Sequence, residues 1–182
     1  MPTCSAPARV IHTVGHSTRD AGVFLDLLRA HAIACVVDVR RWPASRRFPH
    51  FAQTPLAAAL GDAGVRYVWR QDLGGFREPE ADSPNAGWRT AAFRAYADFM
   101  LTAPFEAAAS QLEGLAAEQR IALMCAEALP ERCHRQLLAD AFTVRGWPVR
   151  HMLDDGCVEH RLPPFARPSG TRILYPRRGG RA

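Results

Sequence analysis

The stretch Ile121-Ala-Leu-Met-Cys-Ala-Glu-Ala-Leu-Pro-Glu-Arg-Cys-His-Arg135 contains the end of one secondary-structure element and the start of the next. Its first five residues form an apolar run of strand length, and acidic Glu127 follows one residue later. Pro130 suits the first position of a helix, because its missing N–H would have no intrahelical partner there. We therefore predict a strand over 121–125 and a helix over 130–145.

The same alternation of short apolar runs and helix-like stretches continues through the rest of the chain. Further strands are predicted at residues 10–14, 33–39, 65–69 and 149–153, and further helices near residues 20–31, 55–61 and 91–117. Ser17 or Thr18 is the predicted cap of the first helix. Alternating strands and helices indicate a parallel sheet with right-handed crossovers. The prediction is a single three-layer α/β domain, Rossmann-like or flavodoxin-like, with an open, mostly parallel sheet of about five strands.

Length and composition fit one domain with a full core, since the chain has 182 residues of which 48% are hydrophobic. We expect an N-terminal extension over residues 1–9, a folded domain over 10–161, and a mobile tail rich in Arg, Pro and Gly over 162–182. The apolar runs are too short to span a membrane, and no signal peptide is recognisable. The predicted location is the cytoplasm, with no membrane partner.

The net charge of +5 arises from the residues at the end of the chain. Residues 162–182 contain five arginines and no acid, so residues 1–161 have a net charge of 5 − 5 = 0. The chain has no lysine, which indicates a GC-rich, bacterial genome. Five cysteines without a Cys-x-x-Cys pair argue against a disulfide scaffold or a structural zinc site. No metal and no cofactor is predicted.

Polar side chains cluster where the predicted strands end. Ligands of open α/β sheets bind at the carboxyl ends of the strands, so these residues are the candidate site. In chain order they are His16 and Ser17, then Asp38, Arg40 and Arg46, then Gly74, Gly75 and Arg77, then Cys125 and Glu127, then His134 and Arg135, and finally His151.

Two segments of this edge have a more specific interpretation. Asp38 and Arg40 lie two residues apart on a strand, so their side chains share a face and favour either a salt bridge or an aspartate that orients a substrate. Residues 40–50 carry four arginines, no acid and two aromatic residues. Arginines interleaved with aromatic residues suit phosphate contact and base stacking, although a solvated loop gives the same pattern.

The residues around the thiol at position 125 suggest covalent or acid–base chemistry. A cysteine between a strand end and a helix N-terminus is placed to be partly ionised, which favours Cys125 as a nucleophile over a buried, inert residue. Glu127 is a candidate general acid or base, or simply an acid favoured by the helix dipole. His16 is a candidate for proton transfer or substrate contact.

Five separate motifs in order give the chain its resemblance to a known family. They are residues 13–17 (Thr-Val-Gly-His-Ser), 37–40 (Val-Asp-Val-Arg), 43–46 (Pro-Ala-Ser-Arg), 73–75 (Leu-Gly-Gly) with Arg77, and 124–127 (Met-Cys-Ala-Glu) with 133–135 (Cys-His-Arg). Over residues 10–160 the chain resembles the DUF488 family, small proteins named for lacking an assigned function. The resemblance implies an α/β fold and, through the Cys, His and Arg residues, an enzyme of unspecified reaction.

Taken together, the sequence predicts an enzyme that binds an anionic ligand, a nucleotide or a nucleic-acid component, at the carboxyl edge of the sheet. Cys125 would be the nucleophile or an essential polar group, Glu127 and His16 would transfer protons, and arginines 40, 46 and 77 would hold the anion. One alternative is a non-catalytic nucleic-acid-binding module that uses the 40–50 loop and the tail. The other alternative is a metal-dependent hydrolase or a redox protein.

Overall fold

The computed structural model describes residues 9–78 and 80–177. Its strands are β1 (Ile11–Gly15), β2 (Cys35–Asp38), β3 (Arg66–Trp69), β4 (Ile121–Cys125), β5 (Val149–Leu153), β6 (Gly156–Glu159), β7 (Arg167–Ser169) and β8 (Arg172–Leu174). Its helices are α1 (Ala21–Ala30), α2 (Gln53–Asp62), α3 (Ala91–Phe99), α4 (Ala103–Glu118) and α5 (Arg135–Val144). The extension predicted over residues 1–9 lies outside the described residues, except for Arg9.

The main sheet has six strands in the order β3-β2-β4-β1-β5-β6. Strands β1 to β5 are all parallel, and β6 pairs antiparallel with β5 at one edge. Every residue of β1, β2 and β4 is buried, including the polar side chains of His12, Thr13 and Asp38. Only β4 is continuously apolar in sequence, as is common for a strand covered on both faces. The predicted open, mostly parallel α/β sheet is confirmed, with one antiparallel strand added to the five expected.

Helices cover both faces of this sheet and give the predicted three layers. On one face α1 and α2 pack through Phe24 and Leu60 against a core that includes Met124. On the other face α3, α4 and α5 surround a core that includes Leu123 and Leu138. Adjacent residues of β4 therefore point into different cores. Within the described residues, no helix is long and apolar enough to cross a membrane.

The connections after β1 and β4 diverge, and this divergence creates a crevice. The chain leaves β1 and β2 toward the face of α1 and α2, but it leaves β4 toward α5 on the opposite face. Strands β1 and β2 both neighbour β4 in the sheet. A gap therefore opens at the carboxyl ends of these three strands, which is the position where open α/β sheets bind ligands.

Two helix starts differ from the sequence prediction. Neither Ser17 nor Thr18 caps α1, whose N-cap is Asp20. Ser17 instead adopts a left-handed φ of 52°, and its N–H donates to the carbonyl of Ala126. The loop after β1 is therefore fixed by the loop after β4 before the helix begins.

The predicted helix start at Pro130 is also wrong. Residues Pro130–Arg132 form one 3₁₀ turn, Cys133 is extended (φ −141°, ψ 154°), and α5 begins only at Arg135. The proline does open a helical turn, but the Cys133 N–H closes that turn on the Pro130 carbonyl. Cys133 therefore lies in a connecting segment rather than in the first turn of α5.

The segment after Leu162 is part of the domain as far as it is described. Strands β7 and β8 form an antiparallel hairpin, and the side chains of Ile173 and Tyr175 join the core beside α5. The predicted domain end at residue 161 is therefore wrong for the described part of this segment. Its Pro, Gly and Arg content is typical of a tail, but the segment also contains two core residues. Residues 178–182 of the predicted tail lie outside the described residues.

We expect Tyr175→Ala to lower the free energy of unfolding by about 3–5 kcal/mol, as for other buried aromatic residues. Urea unfolding followed by circular dichroism measures the change. Arg177→Ala is the matched control, because that side chain is exposed two residues away. Equal urea midpoints for the two variants would contradict the packing of this segment on the domain.

Candidate active site

A cleft of about 660 Å³ occupies the crevice at the carboxyl edge of the sheet. It is formed by the loops after β1, β2 and β4, as the topology requires. Its lining residues are His16, Ser17, Thr18, Arg40, Arg41, Trp42, Ala44, Ser45, Arg47, Phe48, Cys125, Ala126, Glu127, Ala128, Leu129, Arg132, Cys133 and His134.

Two thiols face each other at the inner end of this cleft. Cys125 is the last residue of β4, and its Sγ lies 2.6 Å from the Sγ of Cys133. Both cysteines are free and buried, with 2% and 6% of their surface exposed. The imidazole Nδ1 of His134 lies 3.4 Å from the Cys133 sulfur.

Arg135 lies behind the thiols and is completely buried. Its Nε donates to Cys125 Sγ at 2.9 Å, and its terminal nitrogens donate to the carbonyls of Glu127 and Ala128. Within the described part of the chain, no carboxylate lies within ion-pair distance of this guanidinium. A buried cation requires a nearby negative charge, and the groups placed to supply it are the two sulfurs.

The sulfur pair therefore holds one proton rather than two. The hydrogen bond from the Cys125 thiol lowers the pKa of Cys133 well below its usual range, and His134 and Arg135 lower it further. Burial raises the pKa of Cys125, which keeps its proton beside the charged sulfur. The resulting arrangement is a Cys133 thiolate that accepts a hydrogen bond from Cys125, which in turn accepts one from Arg135.

Three glycines allow the loops to approach this closely. A Cβ on Gly15 would lie 1.7 Å from the Glu127 carbonyl oxygen that Arg135 binds. A Cβ on Gly75 would lie 2.6 Å from His134 Nδ1. A Cβ on Gly74 would lie 2.8 Å from the Cα of Arg41. The glycine pair after β3 therefore supports the cleft wall from behind and does not line the cleft.

Asp38, Arg40 and His16 form a second polar group at the cleft. Asp38 accepts two hydrogen bonds from the Arg40 guanidinium, at 2.9 and 2.6 Å, and one from Tyr67 at 2.7 Å. The salt bridge that the sequence predicts between Asp38 and Arg40 is confirmed. Asp38 is wholly buried outside the cleft lining, so it orients Arg40.

His16 is neutral at physiological pH. Its Nδ1–H donates to the Ser17 carbonyl at 3.0 Å, and its Nε2 lies 3.3 Å from Arg40. Burial, together with the charge of Arg40, lowers the pKa of His16 to about 4. His16 can therefore accept a hydrogen bond in the cleft, but it carries no proton to donate from Nε2.

A buried chain of hydrogen bonds continues from Arg135 into the protein. Arg135 donates to Thr13 Oγ1 at 3.2 Å, and the Thr13 hydroxyl lies 2.7 Å from His151 Nδ1. His151 Nε2 lies 2.9 Å from His160 Nδ1, and His160 Nε2 lies 2.7 Å from Asp140. Arg135 can only donate at one end, and the Asp140 carboxylate accepts at the other. Each group between them therefore accepts a hydrogen bond from the Arg135 side and donates one toward Asp140.

The far end of this chain is fixed by the C-terminal segment. The Tyr175 hydroxyl donates to Asp140 at 2.6 Å. Burial lowers the pKa of His151 to about 4, and the charge of Arg135 acts in the same direction, which keeps the His151 ring neutral as the chain requires. His151 therefore belongs to the support of Arg135 and does not line the cleft, contrary to its predicted role in ligand contact.

The structure brings six of the predicted site residues to the cleft wall: His16, Ser17, Arg40, Cys125, Glu127 and His134. The side chain of Glu127 is exposed at this wall, so the burial that would favour acid–base use is lacking. Arg46 is exposed outside the cleft lining, and its neighbour Arg47 lines the cleft instead. Arg77 also lies outside the lining, with its guanidinium 3.7 Å above the Phe99 ring.

Sequence reasoning missed several residues of the site. Cys133 is not among the predicted site residues, although its place beside His134 and Arg135 in the last motif is a usable signal. Arg41 and Arg47 lie in the arginine loop, where the pattern does not show which members face inward. No local pattern indicates which residues support Arg135 from behind, because the contacts of that support join distant elements of the fold. These residues are Thr13, Asp140 and His160.

A separate group of potential metal ligands lies outside the cleft lining. His12, His31 and Cys157 have ligating atoms that all lie within 4.8 Å of one another. His12 Nδ1 is buried without a hydrogen-bond partner among the described residues. Burial, and after it the neighbouring His31, Arg120 and Arg150, lower the pKa of His12 to about 4, and the charges of the two arginines oppose a bound cation.

Comparison with known proteins identifies one family. The family model described as "Domain of unknown function DUF488" matches residues 20–142, which include the loop after β2, both thiols and Arg135. No curated protein and no solved structure matches the chain.

We expect Gly15→Ala to lower the free energy of unfolding by about 1–3 kcal/mol or more, because the added methyl group displaces the Glu127 carbonyl. Gly22→Ala is the matched control, since a Cβ there meets nothing within 4 Å. That substitution lies inside α1 and should raise stability by about 0.5–1 kcal/mol. Urea unfolding of both variants checks the opposite signs, and destabilisation by both would contradict the close approach at Gly15.

The ionised state of Cys133 predicts an unusual pH profile of alkylation. An ordinary thiol with a pKa near 8.5 reacts about twentyfold faster at pH 9 than at pH 7, because only the thiolate reacts. With its pKa well below that value, Cys133 is already ionised at pH 7, and its iodoacetamide rate should change less than about threefold. Cys157, whose pKa burial raises, is the internal control. Mass spectrometry of the two alkylated sites gives both rates, and equally steep profiles would contradict a thiolate in the cleft.

Proposed function

This chain belongs to the DUF488 family, and from the chemistry of its cleft we propose that it is a thiol-dependent enzyme. Its substrate would be an anionic ligand, a nucleotide or a nucleic-acid component, bound at the carboxyl edge of the sheet. The observation that carries this proposal is the ionised sulfur pair, which the buried Arg135 guanidinium stabilises at the inner end of an open cleft. A structural cysteine pair would need neither the buried cation nor access to solvent.

The charge of the cleft favours an anion. Four arginines line it, at positions 40, 41, 47 and 132, against one acid, Glu127. The Nε of Arg41 is buried without a hydrogen-bond acceptor among the described residues, so a ligand oxygen would satisfy it. Guanidinium groups bind phosphate and carboxylate oxygens with paired hydrogen bonds.

Aromatic side chains in the same loop favour a ligand with a flat ring. Trp42 lines the cleft, and although its ring lies 5.5 Å from the ring of Phe76, 62% of its surface is exposed and available to a ligand. Phe48 lines the cleft beside it, and the guanidinium of Arg47 lies 5.3 Å from the Phe48 ring. Exposed aromatic rings beside arginines are the arrangement that stacks nucleic-acid bases.

The roles of the sulfur pair follow from its hydrogen bonds. Cys133 would attack the electrophilic atom of the bound ligand, while Cys125 donates a hydrogen bond to the attacking sulfur. His134 Nε2–H donates to the Val39 carbonyl at 3.0 Å, which holds the ring with Nδ1 3.4 Å from the Cys133 sulfur. Because Cys133 is already ionised, the leaving group would take its proton from the Cys125 thiol, and the negative charge would then lie on the Cys125 sulfur, to which Arg135 donates. The sequence predicts the nucleophile at Cys125, whereas the proposed nucleophile is its partner Cys133.

A non-catalytic nucleic-acid-binding module is the second candidate, and the arginine loop supports it. Such a module needs the positive charge and the aromatic rings but not the thiolate. The two functions therefore differ in whether Cys133 matters. Phosphate-dominated binding would also weaken steeply with salt.

Single substitutions in the arginine loop should separate cleft contacts from general charge. We expect Arg47→Gln to weaken the Kd for nucleoside monophosphates or a short single-stranded oligonucleotide about fivefold to tenfold, because one charge-assisted hydrogen bond is lost. Arg46→Gln removes the same charge from an exposed neighbour outside the cleft and should leave Kd unchanged. Calorimetric titration at two salt concentrations measures both.

Turnover of the bound ligand tests whether the protein is a thiol-dependent enzyme. Cys133→Ser should keep the wild-type Kd but abolish both product formation and any covalent adduct in the intact-protein mass spectrum. Cys157→Ser, an exposed thiol outside the cleft, should change neither. Binding without turnover in the wild-type protein, or turnover that survives Cys133→Ser, would rule out the thiol-dependent enzyme.

A further inference from the structure

The two sulfurs in the cleft are close enough to bond to each other. We propose that Cys125 and Cys133 form a reversible intramolecular disulfide when a small organic disulfide enters the cleft. Formation of the bond is independent of the proposed enzymatic function. Its consequence, the reversible loss of the nucleophile, rests on that function.

The geometry requires little movement. The sulfurs are 2.6 Å apart, only about 0.5 Å more than the length of a disulfide bond. Cys125 is fixed at the end of a central strand, but Cys133 lies in the extended segment between a 3₁₀ turn and α5. Cys133 can therefore close the remaining gap without disturbing the sheet.

The chemistry needs one ionised sulfur and one resolving thiol, and the pair supplies both. The Cys133 thiolate attacks one sulfur of a small disulfide RSSR and releases one RS⁻, which leaves a mixed disulfide on Cys133. Cys125 then attacks the Cys133 sulfur, releases the second RS⁻ and passes its proton to that leaving group. Two electrons move from the two cysteines to RSSR, and the products are the protein disulfide, one RSH and one RS⁻.

Arg135 makes this disulfide easy to reduce. In the reduced protein its buried guanidinium lies beside a negatively charged sulfur pair. In the disulfide neither sulfur carries charge, so the same buried cation loses its counter-charge. The reduced form is favoured by this difference, as in strongly oxidising thiol–disulfide proteins whose thiolate is stabilised. The pair should therefore oxidise only under oxidising conditions and return readily to the dithiol.

The other two described cysteines lack these features. Cys35 is fully buried in β2, and burial raises its pKa to about 11. Cys157 lies on the edge strand β6 and is exposed overall, but partial burial of its thiol still raises its pKa. Neither thiol is ionised at neutral pH, so neither competes with the cleft pair for a small disulfide.

The test is peptide mapping of the full chain after oxidation. The purified protein is treated with oxidised glutathione, free thiols are blocked with N-ethylmaleimide, and the protein is cleaved with trypsin. Because Arg120, Arg132 and Arg135 are cleavage sites, the disulfide appears as peptide 121–132 linked to peptide 133–135, two mass units below the sum of the reduced peptides. We expect this linked pair to form, to disappear with reduced glutathione, and to leave Cys35 and Cys157 blocked by N-ethylmaleimide.

Two variants keep the result interpretable. Cys157→Ser should form the linked pair as the wild-type protein does. Cys125→Ser should stop at the mixed disulfide, with glutathione on Cys133, because the resolving thiol is gone. Oxidation that leaves both cleft thiols free for N-ethylmaleimide, or that links either one to Cys35 or Cys157, would overturn the proposal.

The same preparation separates this proposal from the proposed function. A linked peptide in a protein without nucleotide turnover would support the disulfide and reject the thiol-dependent enzyme. Cysteine-dependent turnover without a linked peptide would do the reverse. If both hold, oxidised glutathione should abolish turnover and reduced glutathione should restore it.

Discussion

The buried guanidinium of Arg135 is the group around which the cleft is organised. It donates to Cys125, to Thr13 and to two carbonyls of the loop after β4, so it connects the strand end, that loop and α5. A cation without water around it is stable only if its nitrogens are hydrogen-bonded and a negative charge is near. Both conditions are met by groups from different elements, which forces those elements into one arrangement. Gly15 is part of the same constraint, because a side chain there would occupy the space of the carbonyl that Arg135 binds.

The hydrogen-bond chain from Arg135 to Asp140 extends this organisation through the protein. Each bond places a donor against an acceptor already fixed by the next member, so the bonds strengthen one another. Tyr175 completes the chain and is held at the same time by the backbone contact of its N–H with Asn85. The hairpin segment therefore supports a cleft that it does not line.

The fold and the location of the site could be predicted from the sequence, whereas the identity of several site residues could not. Valine-rich apolar runs predicted the parallel strands, and the rule for open sheets then placed the polar residues at one edge. The runs at 121–125 and 149–153 match β4 and β5 residue for residue. Failures arose where long-range contacts override local signals. Ser17 is a good helix cap by type, but its backbone is bound to the loop after β4. Tyr175 lies in a segment whose composition resembles a tail. His151 is the middle residue of β5, and its side chain belongs to the buried hydrogen-bond chain and not to the cleft.

The span of the hydrogen-bond chain also determines when this cleft can mature during biosynthesis. Thr13 and His151 are 138 positions apart, and Tyr175 is synthesised later still. A domain generally folds as a unit during synthesis, so the contacts that hold Arg135 are complete only after this last segment has left the ribosome. A nascent chain that has not yet exposed Tyr175 therefore lacks the complete support of the sulfur pair.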